Sequence, residues 1–266
     1  MKEQLKKRLE QIKREKPLIH CITNHIAIND CANIVLALGA KPIMAEHPME
    51  CAEITACAQS LALNMGNISE ARKVAMINSA REAKKREIPI VIDVAGVACS
   101  SMRREYAQDF IREYPPSVVK GNLAEIRALC GLSCSTKGVD STEEESREKL
   151  CETAVHAAEL FGGVVLISGK SDVISDGRWT AFVHNGSALL PLVTGTGCML
   201  NVVCGTLLSV ERPFDAAVMS AVVMGLAGEY SEERCGDSIS AFHSGIIDGV
   251  YHSEGFTEKA RFEIYE

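Results

Sequence analysis

The sequence predicts an α/β fold with a mostly parallel central sheet, in a single domain over residues 1–266. Short apolar runs alternate with longer segments of helical periodicity, which is the order of a sheet whose strands are joined by helical crossovers. The apolar runs contain few polar residues, as expected of strands covered on both faces in a parallel sheet. No Ser/Pro/Gly-rich stretch and no charge run divides the chain into halves, so one domain is expected.

The first two thirds of the chain supplies the predicted parallel sheet and its helices. The predicted strands cover residues 18–22, 61–65, 88–94, 117–120 and 164–168. The predicted helices cover residues 1–16, 29–38, 69–86, 122–129 and 141–160. The first helix has one apolar face. Gly39 follows the second, Ser69 and Asn122 occupy the cap positions of the next two, and Thr142 with Glu145 resembles a capping pair in the last.

The last third of the chain changes to short strands joined by tight turns. Strands are predicted over residues 173–175, 180–184 and 189–193. The dipeptides between them, Asp176-Gly177 and Asn185-Gly186, are typical of hairpin turns. Three helices are predicted to follow, over residues 197–210, 213–230 and 239–253.

Composition and charge exclude several classes of function. The formal net charge of -7 is opposite in sign to the basic face that nucleic-acid binding needs. No segment reaches the roughly 18 unbroken apolar residues of a membrane span. The eleven cysteines include no C-x-x-C pair, and the seven histidines show no metal-ligand spacing, so neither a zinc site nor a disulfide framework is expected. We therefore predict a cytoplasmic protein with reduced thiols.

Polar residues follow four of the predicted strands. Asn64, Asp93, Lys120 and Ser168 each stand at a strand end, three of them close to a glycine. Ligands of an open parallel sheet bind beyond the carboxyl ends of its strands. The four residues therefore predict a polar rim along one edge of the sheet.

Each rim residue has a functional and a plain structural interpretation. Asp93 and Glu125 are suited to Mg²⁺, which is held by a few carboxylates together with waters and substrate phosphates, but each is also placed to cap a backbone turn. Lys120 is suited to a phosphate or to solvent. Ser168 is suited to a nucleotide or to a simple turn.

The segment from Gly195 to Cys198 precedes a predicted helix and is the most specific feature of the sequence. Helix amino termini attract anions through unbonded N–H groups, and glycine permits close approach. That position predicts a lowered pKa for the Cys198 thiol, although a small core thiol is the alternative. A dinucleotide fingerprint would require glycine at Leu200, and a Walker A loop would require a following Gly-Lys-Ser/Thr.

Motifs spread over nearly the whole chain carry a resemblance to a known family. They are Cys21-Ile22-Thr23-Asn24, Leu38-Gly39-Ala40, Pro42-Ile43-Met44-Ala45, Val91-Ile92-Asp93, Gly121-Asn122, Ala124-Glu125-Ile126, Lys137-Gly138-Val139-Asp140, Ile167-Ser168-Gly169, Asp172-Val173-Ile174, His184-Asn185-Gly186 and Val193-Thr194-Gly195-Thr196-Gly197-Cys198. With these motifs the sequence resembles the hydroxyethylthiazole kinase family of the ribokinase-like superfamily. The resemblance implies a ribokinase-like three-layer α/β/α fold and a homotrimer with active sites at subunit interfaces.

The resemblance also implies an activity in thiamine salvage. That activity is ATP-dependent phosphorylation of the primary alcohol of 4-methyl-5-(2-hydroxyethyl)thiazole. Met44 and Gly195 match the family positions that contact the thiazole. Cys198 stands where most of the superfamily places an aspartate base, and cysteine is usual in this family.

The same resemblance assigns the phosphate side of the site. Lys120 and Ser168 match ATP-contacting positions, and Asp93 and Glu125 match positions that bind Mg²⁺. The family usually has arginine at 120, threonine at 168 and Pro-Val-Gly after Asp93, so residues 94–99 also depart from its pattern. Two other functions stay open. One is a kinase for another small vitamin-precursor alcohol, although such kinases usually carry aspartate where Cys198 stands; the other is a non-catalytic thiazole-binding or regulatory protein, which the departures allow.

Overall fold

The fold is a nine-stranded sheet with helices on both faces, seen in a computed structural model that describes residues 1–132 and 146–266. The strands are β1 (Leu18–Ile22), β2 (Lys41–Ile43), β3 (Ser60–Asn64), β4 (Ile90–Asp93), β5 (Val118–Asn122), β6 (Val164–Ser168), β7 (Asp172–Ser175), β8 (Thr180–Val183) and β9 (Phe262–Tyr265). The α-helices are α1 (Lys2–Glu15), α2 (Ile28–Ala37), α3 (Cys51–Cys57), α4 (Glu70–Arg86), α5 (Ser101–Glu113), α6 (Leu123–Leu129), α7 (Arg147–Phe161), α8 (Thr196–Leu208), α9 (Pro213–Cys235) and α10 (Ile239–His252).

The sheet has a parallel part and an antiparallel part. The strand order is β2-β1-β3-β4-β5-β6-β7-β8-β9. All pairs from β2 to β6 are parallel, and the remaining pairs are antiparallel. The mostly parallel sheet predicted from the sequence is therefore confirmed.

Alternate residues of each strand pack into two separate hydrophobic cores, because successive side chains of a β-strand point to opposite faces of the sheet. Ala62 and Val91 belong to the core beneath α1, α2, α8, α9 and α10. Their chain neighbours Leu63 and Ile92 belong to the core beneath α3 to α7. The three-layer α/β/α architecture is thus confirmed.

Local sequence explains where several helices begin. The Ser69 hydroxyl accepts from the N–H of Arg72 at the start of α4, and Asn122 forms a full capping box with Glu125 at the start of α6. Ser146 caps α7 in the same way. The predicted start of that helix at residues 141–145 and the motif at 137–140 lie outside the described residues.

Two predictions for the last third of the chain are wrong. Residues 189–193 do not form a strand, because Leu190–Leu192 is a short 3-10 helix in which Pro191 fixes φ and lacks an N–H. Asn185-Gly186 is not a hairpin turn either. The buried Asn185 side chain instead donates to Glu229 and accepts from the N–H of Arg261, so β8 pairs with the distant β9. The Asp176-Gly177 hairpin between β7 and β8 is confirmed.

Four elements were not predicted: β2, α3, α5 and β9. Helix α9 also extends to Cys235, five residues beyond the predicted end. Although α9 is long and well buried, no helix among the described residues combines the length and apolarity needed to cross a membrane.

Candidate active site

The carboxyl ends of four parallel strands, β3 to β6, bring the predicted rim residues side by side. In the register of the sheet, Asp93 lies opposite Asn64 on β3 and opposite Lys120 on β5. Ser168 lies opposite Asn122. The rim predicted from separate strand ends is therefore one continuous edge.

A buried ion pair lies at the centre of this edge. Lys120 Nζ donates to Asp93 Oδ2 over 2.8 Å and to the carbonyl oxygen of Gly197 over 3.1 Å. Burial by itself lowers the pKa of Lys120, but the Asp93 carboxylate outweighs burial and the pKa is raised overall. The ammonium group therefore stays charged beside the amino end of α8.

Asp93 has a free coordination position. Its Oδ1 atom is buried and has no hydrogen-bond partner in the part of the chain that the structure describes. A buried carboxylate oxygen without a donor carries a desolvation cost that a bound cation removes. Asp93 is therefore suited to act as a ligand of a metal ion.

Glu125 is the second carboxylate of this edge, and its oxygens are already used by the backbone. Oε1 accepts from the N–H of Gly96 and Oε2 from the N–H of Asn122, both over 2.8 Å. Burial raises the pKa of Glu125 despite these bonds, and nearby Asp93 raises it further. No group of three or more His, Cys, Asp or Glu residues encloses a metal position among the described residues. One or two carboxylates fit Mg²⁺, which keeps waters and substrate phosphates as its other ligands.

The turn before α8 brings the helix amino terminus to the same place. Gly195 has a φ of 90°, and a Cβ added there would lie 2.8 Å from Cβ of Ala27. A Cβ on Gly197 would lie 2.9 Å from Lys120 Nζ. The first hydrogen bond of the helix runs from the N–H of Met199 to Gly195. The preceding N–H groups of α8 have no acceptor within the helix and are available to an anion.

Cys198 lies in the first turn of α8, and its environment contradicts the predicted thiol chemistry. Burial raises the pKa of Cys198 to about 11; Asp93 adds to this rise, and Lys120 and the bond from Asn64 oppose it. Asn64 Nδ2 lies 3.4 Å from Sγ and donates to it. The prediction of a lowered pKa is therefore wrong, because desolvation and a carboxylate outweigh the helix terminus.

The raised pKa predicts an unreactive thiol. With a pKa of about 11, only about one Cys198 side chain in 3,000 is a thiolate at pH 7.5. We expect iodoacetamide at that pH to modify exposed Cys57 and Cys99 well before Cys198, as measured by peptide mass mapping over time. Protein unfolded in urea provides the control, in which all three should react alike. Equal labelling rates in the folded protein would contradict the raised pKa.

Met44 and Ser168 lie at opposite sides of the central ion pair. Met44 follows β2 and is partly buried against the core that contains α8. The Ser168 hydroxyl at the end of β6 donates to the carbonyl oxygen of Gly121 over 3.4 Å. In the next turn Asp172 accepts from the N–H of Gly169 over 3.0 Å, and burial raises the pKa of Asp172 to about 7.

The contacts of two residues near the site were not predicted from the sequence. Asn64 was recognised as a rim residue, but its bond to Cys198 depends on how β3 meets α8 and has no signal in sequence spacing. Arg72 looks like an ordinary charged residue of a helix. In the structure it is buried and bonds to the carbonyl oxygens of Thr23 and Asn64.

Comparisons with known proteins agree with this geometry. A sequence profile of the hydroxyethylthiazole kinase family matches residues 9–254. Hydroxyethylthiazole kinase 2 of Clostridium botulinum (strain Hall) is 42% identical over 248 residues, covering 91% of this chain and 92% of the relative. Hydroxyethylthiazole kinase 1 of the Loch Maree strain is 40% identical over 247 residues, with the same coverage of both chains.

Solved structures show the same fold. The hydroxyethylthiazole kinase protein from Pyrococcus horikoshii OT3 superposes with a TM-score of 0.90 at 30% identity, covering 99% of this chain and 100% of that chain. The pyridoxal kinase from Staphylococcus aureus gives a TM-score of 0.59 at 15% identity, covering 80% and 87%, and shares the fold alone. With its site geometry, its sequence match and its ribokinase-like fold, the chain belongs to the hydroxyethylthiazole kinase family.

Proposed function

We propose that this protein is an ATP-dependent kinase that phosphorylates the primary hydroxyl of 4-methyl-5-(2-hydroxyethyl)thiazole for thiamine salvage. The observation that carries the proposal is the meeting of the Asp93–Lys120 ion pair with the amino end of α8. That arrangement gathers positive charge and free N–H donors around a carboxylate, as phosphoryl transfer requires. The names of the family and of its similar members supply the substrate.

We assign the phosphate side of the site to four residues. Lys120 would contact an ATP phosphate as a point charge, since its ammonium group is fixed beside Gly197. Ser168 would contact ATP from the end of β6. Asp93 and Glu125 would hold Mg²⁺, Asp93 through its unpartnered oxygen and Glu125 alongside its backbone bonds. When bound, the ion would neutralise charge on the phosphates.

On the acceptor side, Met44 and Gly195 would contact the thiazole. The absence of a side chain at Gly195 brings the backbone of this turn against Ala27 and leaves the start of α8 open to the alcohol. The free N–H groups that follow would donate to the oxygens of the transferring phosphoryl group.

Cys198 would orient the alcohol and would not remove its proton. At neutral pH the side chain is a thiol, because its pKa is about 11. In a loose transition state the hydroxyl proton leaves late, so a strong base is not required before transfer. Cys198 Sγ would accept a hydrogen bond from the hydroxyl, and as the bond to phosphorus forms the proton would pass to an oxygen of the transferred phosphoryl group, because the neutral thiol cannot take up a second proton.

This role predicts a modest loss in the Cys198→Ala variant. We expect kcat to fall about 10- to 100-fold, at or below the low end of the range for general-base groups, because only an orienting hydrogen bond is lost. Steady-state ADP release measures the effect. Cys204→Ala removes a buried thiol six residues further along α8 and should leave kcat close to wild type. A loss beyond about 10,000-fold would instead indicate covalent or structural work by Cys198.

One assay tests the proposed function. Purified protein with Mg-ATP is offered the thiazole, pyridoxal, a pyrimidine vitamin precursor and a no-alcohol blank, and ADP release is followed. Turnover restricted to the thiazole is the expected result. Faster turnover of another alcohol would replace the substrate, and thiazole binding without any ADP release would overturn the kinase assignment.

We further propose that residues 1–266 act as one domain, assembled as a homotrimer in the cytoplasm. Exposed apolar residues support an interface near the acceptor side: Ile26 adjoins the residue that contacts Gly195, Met49 follows the Met44 segment, and Leu192 precedes Gly195. The free cysteines of the described residues support a reducing compartment. Light scattering of the purified protein tests the assembly, and a monomeric mass would overturn it.

A further inference from the structure

Arg72 is a buried arginine that the proposed chemistry does not use. It lies in the first turn of α4, and only 3% of its surface is exposed. Its Nη2 atom donates to the carbonyl oxygen of Thr23 over 2.7 Å and reaches that of Asn64 at 3.5 Å. Its Nη1 atom forms an ion pair with Glu46 and lies 3.2 Å from Nε2 of His25.

The partners of Arg72 come from three segments that meet at the acceptor side. Thr23 directly follows β1. Asn64 ends β3, and its side chain donates to Cys198 Sγ. Glu46 is two residues beyond Met44 in the acceptor loop, the segment of residues 44–50 that follows β2.

The neighbouring contacts make the Asn64 end rigid. Asn64 Oδ1 accepts from the N–H of Gly66 over 2.8 Å, which fixes the orientation of the amide and turns Nδ2 toward Cys198. The acceptor loop has other anchors: His20 Nε2 bonds to the carbonyl oxygen of Ala45 over 2.8 Å, and Asn78 on α4 donates to the carbonyl oxygen of Pro48 over 3.0 Å. Arg72 differs from these because it contacts both Glu46 of the acceptor loop and the carbonyl oxygen of Asn64, the strand end behind Cys198.

The chemistry of the guanidinium suits this connection. Burying a charge is expensive unless it is paired and hydrogen-bonded, and here one carboxylate and two carbonyl oxygens share it. The planar fork can donate in two directions at once, whereas a lysine ammonium on a flexible stem is a point charge. A surface arginine on α4 would avoid the desolvation cost, so its burial favours a role at the site.

We propose that Arg72 is a positioning residue for the alcohol substrate, holding the acceptor loop through Glu46 at a fixed distance from Asn64 and Cys198. The inference rests on the proposed thiazole kinase function. It predicts that loosening Arg72 weakens the thiazole side of the site and leaves the ATP side unchanged, since Lys120 and Ser168 do not contact Arg72 or Glu46.

The test compares Arg72→Lys and Glu46→Gln with Arg86→Lys. The control changes another arginine of α4, one that pairs with Glu82 at the surface. We expect KM for the thiazole to rise about tenfold or more in both site variants, because displacements of about 1 Å carry such costs. KM for ATP should change less than about twofold, and Arg86→Lys should leave both constants unchanged.

The possible results distinguish a positioning role of Arg72 from a purely structural one. A lower melting temperature with both KM values unchanged, or raised together, would overturn the inference and leave Arg72 a structural residue. If Arg72→Lys fails to fold, Glu46→Gln carries the test, since Glu46 is partly exposed. If wild-type protein binds the thiazole without turnover, the proposed function fails, and calorimetric Kd values for the same variants still test positioning. Absence of thiazole binding by wild-type protein would overturn both.

Discussion

Asp93→Asn is expected to lower kcat about 1,000-fold, equivalent to about 4 kcal/mol of lost transition-state stabilisation. The substitution converts the carboxylate that carries the unpartnered Oδ1 atom into a neutral amide. An amide has no negative charge with which to bind a cation. It also removes the negative partner of Lys120, whose ammonium group is buried. Both changes act at the point where phosphate charge would be neutralised.

The activity loss must be separated from a loss of stability. Leaving a buried ammonium without its carboxylate costs about 3 kcal/mol or more when the partner is removed completely, and asparagine retains an oxygen as acceptor. ADP release should therefore be measured at a temperature where urea unfolding shows the variant to be folded. Asp109→Asn, an exposed aspartate on α5 that pairs with Arg112, is the matched control. An Asp93→Asn enzyme with more than a tenth of wild-type kcat would exclude Asp93 from the reaction.

Gly225→Ala is expected to destabilise the fold by about 3 kcal/mol, the upper part of the range for overpacking. A methyl group at this position of α9 would lie 2.6 Å from Cβ of Asn185, and closer still to its carbonyl group. Asn185 cannot move away easily, because its side chain bonds to Glu229, to the carbonyl oxygen of Lys259 and to the N–H of Arg261.

Helix propensity alone would make Gly225→Ala stabilising, because alanine favours a helix over glycine by about 1 kcal/mol. A measured loss of stability would therefore reflect the close packing at this position. Chemical unfolding of wild type and variant measures the difference in free energy of unfolding. Gly255→Ala is the control, since no heavy atom lies within 4 Å of a Cβ built there, and its free energy should stay within about 0.5 kcal/mol of wild type. A Gly225→Ala protein as stable as wild type would show that α9 and the Asn185 segment can separate freely.

The parallel half of the fold was predictable because its strands are buried on both faces. Unbroken apolar runs are the direct signature of such strands, and the rim at Asp93, Lys120 and Ser168 then follows from the rule that ligands bind beyond strand carboxyl ends. The caps at Ser69 and Asn122 were equally readable, since each is a local contact over three residues.

The antiparallel half was harder, because its pairing is not local. Residues 189–193 have the apolar content of a strand, but Pro191 and the departure of the chain at Asn185 prevent pairing. The strand that does complete the sheet is β9, which is short and largely exposed. It lies about 80 residues beyond β8, the strand with which it pairs. An alternation of only four residues gives a weak signal.

The thiol of Cys198 shows a second limit of sequence reasoning. A helix start is visible in the sequence, and it predicts a lowered pKa. Burial and the distance to a carboxylate depend on tertiary packing, and these decide the sign. Arg72 escaped notice for the same reason, because the partners that surround it come from residues 23, 46 and 64.

The reversal of direction at β7 has a practical consequence for protein engineering. Strand β6 ends at the edge where we propose the active site, and β7 runs back from it, so the turn at Asp176-Gly177 emerges on the opposite edge of the sheet. Loop tips of this kind tolerate insertions better than buried segments do. A reporter peptide inserted into this turn would lie on the far side of the molecule, away from the proposed nucleotide and alcohol sites.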